Sequence, residues 1–311
     1  MNNIICVAGP TASGKTAFAV ELAKVTDGEV VSCDSMQIYK YMDIGTAKPT
    51  LEEREGIPHH MLDVAEPWED FSVSRYCEMA APIVDDITAR GKTAIIAGGT
   101  GLYMDALIRG NSFAPFPSTG RREELEALAR DRGIEAVLEQ LRQVDPESAA
   151  RLHPSDQKRI IRAMEVYLET GETITAHNIR TQSIPPRYTP LWFGLEDERR
   201  QDLYDRIDSR VGKMLEAGLT EEIRSLLARG IPEKCTAMQA IGYKEFLGAL
   251  AGQCTLQEAA DQARQSSRRY AKRQLTWFRR NPAIHWLTRA PGESTGEILH
   301  RARQILGDSD R

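Results

Sequence analysis

The stretch NIICVA at residues 3–8, GPTASGKT at 9–16 and AFAVELAK at 17–24 decides the fold. The apolar run alone suits a buried strand or part of a helix. A glycine loop follows it at once, then a segment of helix formers, and that order makes a βα unit of a parallel sheet. The pattern repeats outward. EVVSC at Glu29–Cys33 and KTAIIA at Lys92–Ala97 read as strands, with a helical stretch over Tyr76–Arg90 before the second. Strands alternating with helices place helices on both sheet faces. The alternation stops at NSFAPFPSTG (Asn111–Gly120) and resumes after QSIPPRYTP (Gln182–Pro190). Between these Pro-rich segments, Arg121 to Arg180 carries helical periodicity and little that reads as strand. Beyond them come a strand at Leu191–Leu195, helices across Arg199–Glu216, Thr220–Arg229 and Thr255–Arg279, and a last strand at Ala283–Thr288. The expected architecture is an α/β core with a parallel sheet (1–112 and 190–311), interrupted by an all-helical insertion (113–189).

The composition narrows the function. With 311 residues, 41% apolar and 27% charged, the chain can bury a core and solvate its surface. No apolar run nears the roughly 18 residues of a membrane span, and MNNIICVAGP lacks the regions of a signal peptide. A cytoplasmic protein is expected, with no membrane contact and no obligate protein partner evident. The five cysteines are odd in number and scattered, and His59 and His60 are adjacent, so neither disulfides nor a Cys/His metal site is indicated. The net charge of −5 excludes coating nucleic acid by bulk charge and leaves that work to local basic patches.

Gly9-Pro-Thr-Ala-Ser-Gly14-Lys15-Thr16 satisfies G-x-x-x-x-G-K-[ST] in full. Such a loop turns its N–H groups around a phosphate at the positive end of a helix. Lys15 adds a point charge on the outer oxygens, and the Thr16 hydroxyl can ligate Mg²⁺. A kinase or NTPase reading predicts an Asp ending a later apolar strand. After KTAIIA stands Gly98-Gly99-Thr100-Gly101-Leu102-Tyr103 instead, so phosphate binding is implied and phosphoryl transfer is not. That glycine segment is either a strand-to-helix turn or a place where another backbone comes close.

EVVSC delivers Asp34-Ser35-Met36-Gln37 to the sheet's carboxyl edge, where open α/β folds bind ligands. Asp34 there is either a proton acceptor beside a bound phosphate compound or, with Gln37 three residues on, a capping box starting a helix. Arg264–Arg280 (RQSSRRYAKRQLTWFRR) holds seven Lys/Arg and no acid, with Arg264, Arg268, Lys272 and the pair Arg269, Arg273 at i, i+4 spacing along a helix that suits phosphate-backbone contact or the neutralising of a pyrophosphate. A solvated charged face is the plainer reading of such a run. Lys158-Arg159-Ile160-Ile161-Arg162 is a smaller basic patch that read alone is a half-buried amphipathic helix.

Taken together, GPTASGKT (9–16), DSMQIYKYMDIGTAKP (34–49), DFSVSRY (70–76), GGTGLY (98–103), KRIIRAMEVY (158–167), AIGYKE (240–245) and RRYAKRQLTWFR (268–279) resemble the bacterial tRNA dimethylallyltransferases, the IPP transferase family. The resemblance implies a core of P-loop nucleotide-kinase type and an insertion that grips the tRNA anticodon stem-loop. It implies transfer of a dimethylallyl group from dimethylallyl diphosphate to N6 of adenine 37, in tRNAs reading codons that begin with U, with Mg²⁺ and release of diphosphate. By matching position, Gly9, Pro10, Thr11, Ala12, Ser13, Gly14, Lys15 and Thr16 would hold the diphosphate, with Thr16 on the metal. Asp34, Thr100 and Lys15 would be catalytic. Asp34, Ser35, Met36, Gln37, Thr100, Arg122, Lys158, Arg159, Ile160, Ile161, Arg162, Gln239, Ala240, Ile241, Gly242, Tyr243 and Lys244 would line the tRNA site, beside the basic helix. A nucleoside kinase explains the loop but not that helix. An RNA-binding module without catalysis explains the helix but not the loop.

Overall fold

The computed structural model describes residues 3–110 and 119–309, so most of the segment Asn111–Gly120 lies outside the described residues. Six strands form one sheet: β1 (Ile4–Ala8), β2 (Gly28–Ser32), β3 (His59–His60), β4 (Thr93–Gly98), β5 (Leu191–Asp197) and β6 (Ile284–Arg289), in the order β3-β2-β4-β1-β5-β6. Every pairing is parallel. All carboxyl ends therefore share one edge. The chain runs from β1 to strands on one side of it and later to strands on the other, which opens a crevice at the tip of β1.

Alternate residues of each strand serve opposite cores. Cys6, Ala8, Val31, Ala94 and Ile96 join the core built with helices Val73–Ala89, Gly101–Arg109, Leu219–Ala228 and Leu256–Phe278. Ile5, Val7, Val30 and Ile95 pack with Phe18 and Leu22 of helix Lys15–Thr26 and with Ile298 of helix Thr295–Ser309. Burial on both faces is why these strands read as apolar runs rather than alternating ones. Each buried Val, Ile, Leu or Phe among them contributes roughly 1.5–3 kcal/mol by leaving water. The two-residue β3 went unforeseen, since nothing shorter than a turn of periodicity distinguishes two adjacent histidines.

The chain divides into two compact units, Met1–Gly110 with Arg187–Arg311, and Asn111–Pro186. The expected insertion edges were 113 and 189. The second unit holds helices Arg121–Arg132, Ile134–Val144, Pro146–Arg151, Gln157–Thr170 and Ile174–Gln182, closed around Leu125, Val137, Leu141, Ile160 and Met164. No helix among the described residues is long and apolar enough to cross a membrane.

A candidate active site at the carboxyl edge

Helix Lys15–Thr26 begins without a side-chain cap and with no acid in its first turn. Its leading N–H groups, which lack intrahelical partners, are thus left for an anion. Gly9 lies so close to β5 that a Cβ would stand 2.8 Å from the Leu195 carbonyl oxygen. Lys15 Nζ donates to Pro10 O at 2.6 Å, folding the ammonium across the loop. The Ser13 hydroxyl is buried with no partner among the described residues. Thr11 to Thr16 line a cavity of about 740 Å³ at the sheet edge. Gly9 and Pro10 stand behind it as buried support.

Asp34 faces the same cavity from the tip of β2. Its Oδ1 accepts the Met36 N–H at 2.9 Å and the Gln37 N–H at 3.3 Å. The cap reading is therefore half correct. The carboxylate does hold the turn, but no helix follows, and Gln37 does not reach back; its amide donates to Thr46 O and Ala47 O instead. Oδ2 takes no hydrogen bond among the described residues, which leaves one oxygen for chemistry. Thr100 accepts the Ser35 N–H on Oγ1 at 3.0 Å, and its own N–H binds Cys33 O at 3.2 Å. Thr100 therefore positions the Asp34 turn. Gly98 lies against the backbone of Cys33, Gly99 against the Gln274 amide and Gly101 against the Trp277 indole, so close approach explains all three glycines.

Burial pulls the Lys15 ammonium down to about 7; Asp34 works against that shift and Arg210 adds to it. Burial likewise lowers Arg210, opposed by Asp34 and Glu53. Both cations are poised to gain from an anion arriving between them. Arg210 reaches Thr11 Oγ1 and Thr46 O, each at 3.4 Å. Arg206 donates from Nε to Ala12 O at 2.9 Å and pairs with Asp197 at 2.5 Å. The Tyr270 hydroxyl, between Thr100 and Gln274, is pushed up to about 12, first by burial and then by Asp34.

Sequence reading missed Arg206, Arg210, Lys213, Tyr270 and Gln274, all of which line the cavity together with Arg273 of the basic helix. The first three recur at helical spacing on Arg200–Glu216, a signal hidden by the acids interleaved with them.

Other expectations are corrected. Ile160 and Ile161 are 0% and 7% exposed in the helical unit's core, so the patch presents only Lys158, Arg159 and Arg162. Arg122, in that same unit, pairs with Glu126 and Glu165. Tyr243 is fully buried, its hydroxyl donating to Glu222 at 2.6 Å, so it supports the site rather than lining it. Gln239, Ala240, Ile241, Gly242 and Lys244 do line the cavity. On the basic helix, Arg268 is engaged by both oxygens of Asp208 at 2.6 Å, whereas Arg269 and Lys272 are exposed.

Mg²⁺ fits the donors present. Thr16 lines the cavity with its hydroxyl unpartnered among the described residues, and Asp34 is its acidic neighbour across the space. No cluster of three His, Cys, Asp or Glu able to cage a metal occurs among the described residues. Mg²⁺ commonly takes one or two protein oxygens and completes its shell with water and substrate phosphates.

Comparison with known proteins adds a match to the IPP transferase family model over residues 37–281. The tRNA dimethylallyltransferase of Acetivibrio thermocellus is 43% identical over 307 residues, covering 98% of both chains. That of Geobacillus thermodenitrificans is 50% identical over 284 residues, 91% of this chain and 89% of its own. The crystal structure of the tRNA isopentenylpyrophosphate transferase from Bacillus halodurans superposes with a TM-score of 0.74 at 41% identity, over 99% and 96% of the two chains. A eukaryotic dimethylallyltransferase captured acting on tRNA gives 0.79 at 30% identity, over 93% of this chain and 74% of that one.

Proposed function

The chain belongs to the IPP transferase family and transfers a dimethylallyl group to tRNA, and from that premise we propose that its donor is dimethylallyl diphosphate and its acceptor N6 of adenine 37. One observation carries this reading: the phosphate loop and the free oxygen of Asp34 face a single cavity.

The diphosphate lies on Thr11–Thr16, where Lys15, Arg210 and the helix N-terminus meet its charge. As the allylic C–O bond breaks, electrons pass to the leaving oxygen, and these groups stabilise the diphosphate as it departs. Thr16 would hold Mg²⁺, which would supply further neutralisation of the diphosphate. The N6 lone pair is delocalised into the purine, so the amine is a weak nucleophile and must be held in line. Asp34 Oδ2 accepts a hydrogen bond from the amine and takes its proton as the C–N bond forms. The adenine leaves its stack to reach the cavity, at a cost of a few kcal/mol. Arg269, Lys272, Lys158 and Arg159 offer exposed charge to RNA phosphates, and a tRNA substrate makes the cytoplasm the place of action.

The test incubates the protein with Mg²⁺, labelled dimethylallyl diphosphate and an unmodified tRNA carrying adenine at positions 36 and 37. Digestion is expected to yield prenylated adenosine from position 37. No transfer, together with phosphoryl transfer from ATP, refutes the reading in favour of a kinase.

A further inference from the structure

Gln274 is the polar residue that the basic run surrounds without explaining. It is only 5% exposed, although it sits on a helix otherwise rich in surface charge. Its Oε1 accepts the Thr11 N–H at 2.8 Å and its Nε2 donates to Gly99 O at 2.9 Å. Thr11 belongs to the anion loop. Gly99 precedes Thr100, whose hydroxyl and N–H hold Ser35 and Cys33 on either side of Asp34. One amide therefore spans the two halves of the site.

The helix that carries it is itself fixed. Trp277, three residues on, donates from Nε1 to Asp105 at 2.9 Å and packs against Gly101. The side-chain amide satisfies both partners at once, offering its oxygen to one donor and its N–H to one acceptor.

We propose that Gln274 is a positioning residue that sets the separation of the phosphate loop from the Asp34 turn, and so the alignment of donor and acceptor. The proposal rests on the reading of the site given above. Each half-site keeps its own ligands without the strut: Lys15, Arg210 and the helix N-terminus serve the diphosphate, while Asp34 stays tied to Met36 and Gln37. What the strut governs is distance, and a misplacement of about 1 Å can cost about 10²-fold in rate.

Gln274→Met preserves size and removes both bonds. Gln274→Glu still accepts from Thr11 but sets an oxygen against Gly99 O. For each variant, kcat for transfer is expected to fall about 10²-fold. Half-saturation by donor in the Met variant, and tRNA affinity in both, are expected to stay within about 3-fold. Parallel loss of kcat, inorganic diphosphate affinity and melting temperature overturns the proposal, because that is the behaviour of a general fold support. A kcat within 3-fold of the parent in both variants overturns it equally.

A second readout needs no turnover. Mg²⁺ with inorganic diphosphate is expected to slow amide hydrogen exchange over residues 9–16 and also over 33–37 in the parent. In Gln274→Met the slowing is confined to 9–16. Equal slowing over 33–37 in both proteins refutes the strut. A parent that transfers nothing refutes the proposed function, while the exchange comparison still decides the strut.

Discussion

Replacing Asp34 by Asn separates its two jobs. Asn retains an oxygen in the place of Oδ1, so the acceptor for the Met36 and Gln37 N–H groups survives and the turn keeps its shape. The other oxygen becomes an NH₂ that cannot take a proton. A general base contributes about 10²–10⁴-fold, or about 3–5 kcal/mol of barrier, and that is the expected loss in kcat. The charge has a second effect, because Asp34 holds the Lys15 ammonium up against burial. Its removal drops Lys15 further, so donor binding weakens more at pH 8 than at pH 6.5. Single-turnover transfer at saturating donor and tRNA, run at both pH values, isolates the base from the charge. Asp34→Ala loses the turn acceptor as well, at about 1 kcal/mol by analogy with lost helix caps; this extra loss should appear in denaturation and not in kcat. An Asn variant keeping more than a tenth of parental turnover at pH 6.5 refutes the assignment.

Lys15 makes the empty protein's stability rise with pH between about 7 and about 10.4, because there the unfolded chain binds a proton that the folded one does not. An arriving diphosphate raises that ammonium again, so calorimetry at pH 8 in buffers of different ionisation heat should show more proton uptake for the parent than for Lys15→Met. Arg210→Gln should raise the half-saturating donor concentration about tenfold or more, with tRNA affinity unchanged, since the guanidinium stands at the loop and not among exposed cations. Replacing Arg269 and Lys272 by Gln should lower the slope of log tRNA affinity against log salt by up to about 2. Arg268→Gln should leave the slope alone and lower the melting temperature, because Asp208 loses its partner. Equal slopes across these variants would assign the helix to internal packing.

Local chemistry was legible in the sequence. The loop 9–16, the strands around it and the acid at 34 each declare themselves within a few residues, because a strand, a tight turn and a helix start are local events. The cavity is not a local object. Arg210 and Gln274 reach it from helices 199 and 263 residues beyond Thr11 of the loop, and no local pattern tells that either side chain points there. Gln274 sits in a run whose charge points outward, and Arg210 on a helix whose acids disguise a basic stripe. The errors have the same origin. Ile160, Ile161 and Tyr243 lie within stretches that resemble the family, yet a stretch mixes residues that touch a ligand with residues that hold those residues still. Burial separates the two kinds. GGTG at 98–101 shows how far such support extends: its glycines mark the places where Cys33, Gln274 and Trp277 press inward. The three contacts bind the turn after β4 to β2 and to the helix Leu256–Phe278 at once. A Cβ at Gly98 would meet the Cys33 backbone, which cannot move without carrying Asp34 with it. Gly98→Ala should therefore lower kcat even where the protein still folds, and it should do so without weakening inorganic diphosphate binding, because the phosphate loop is not part of that contact.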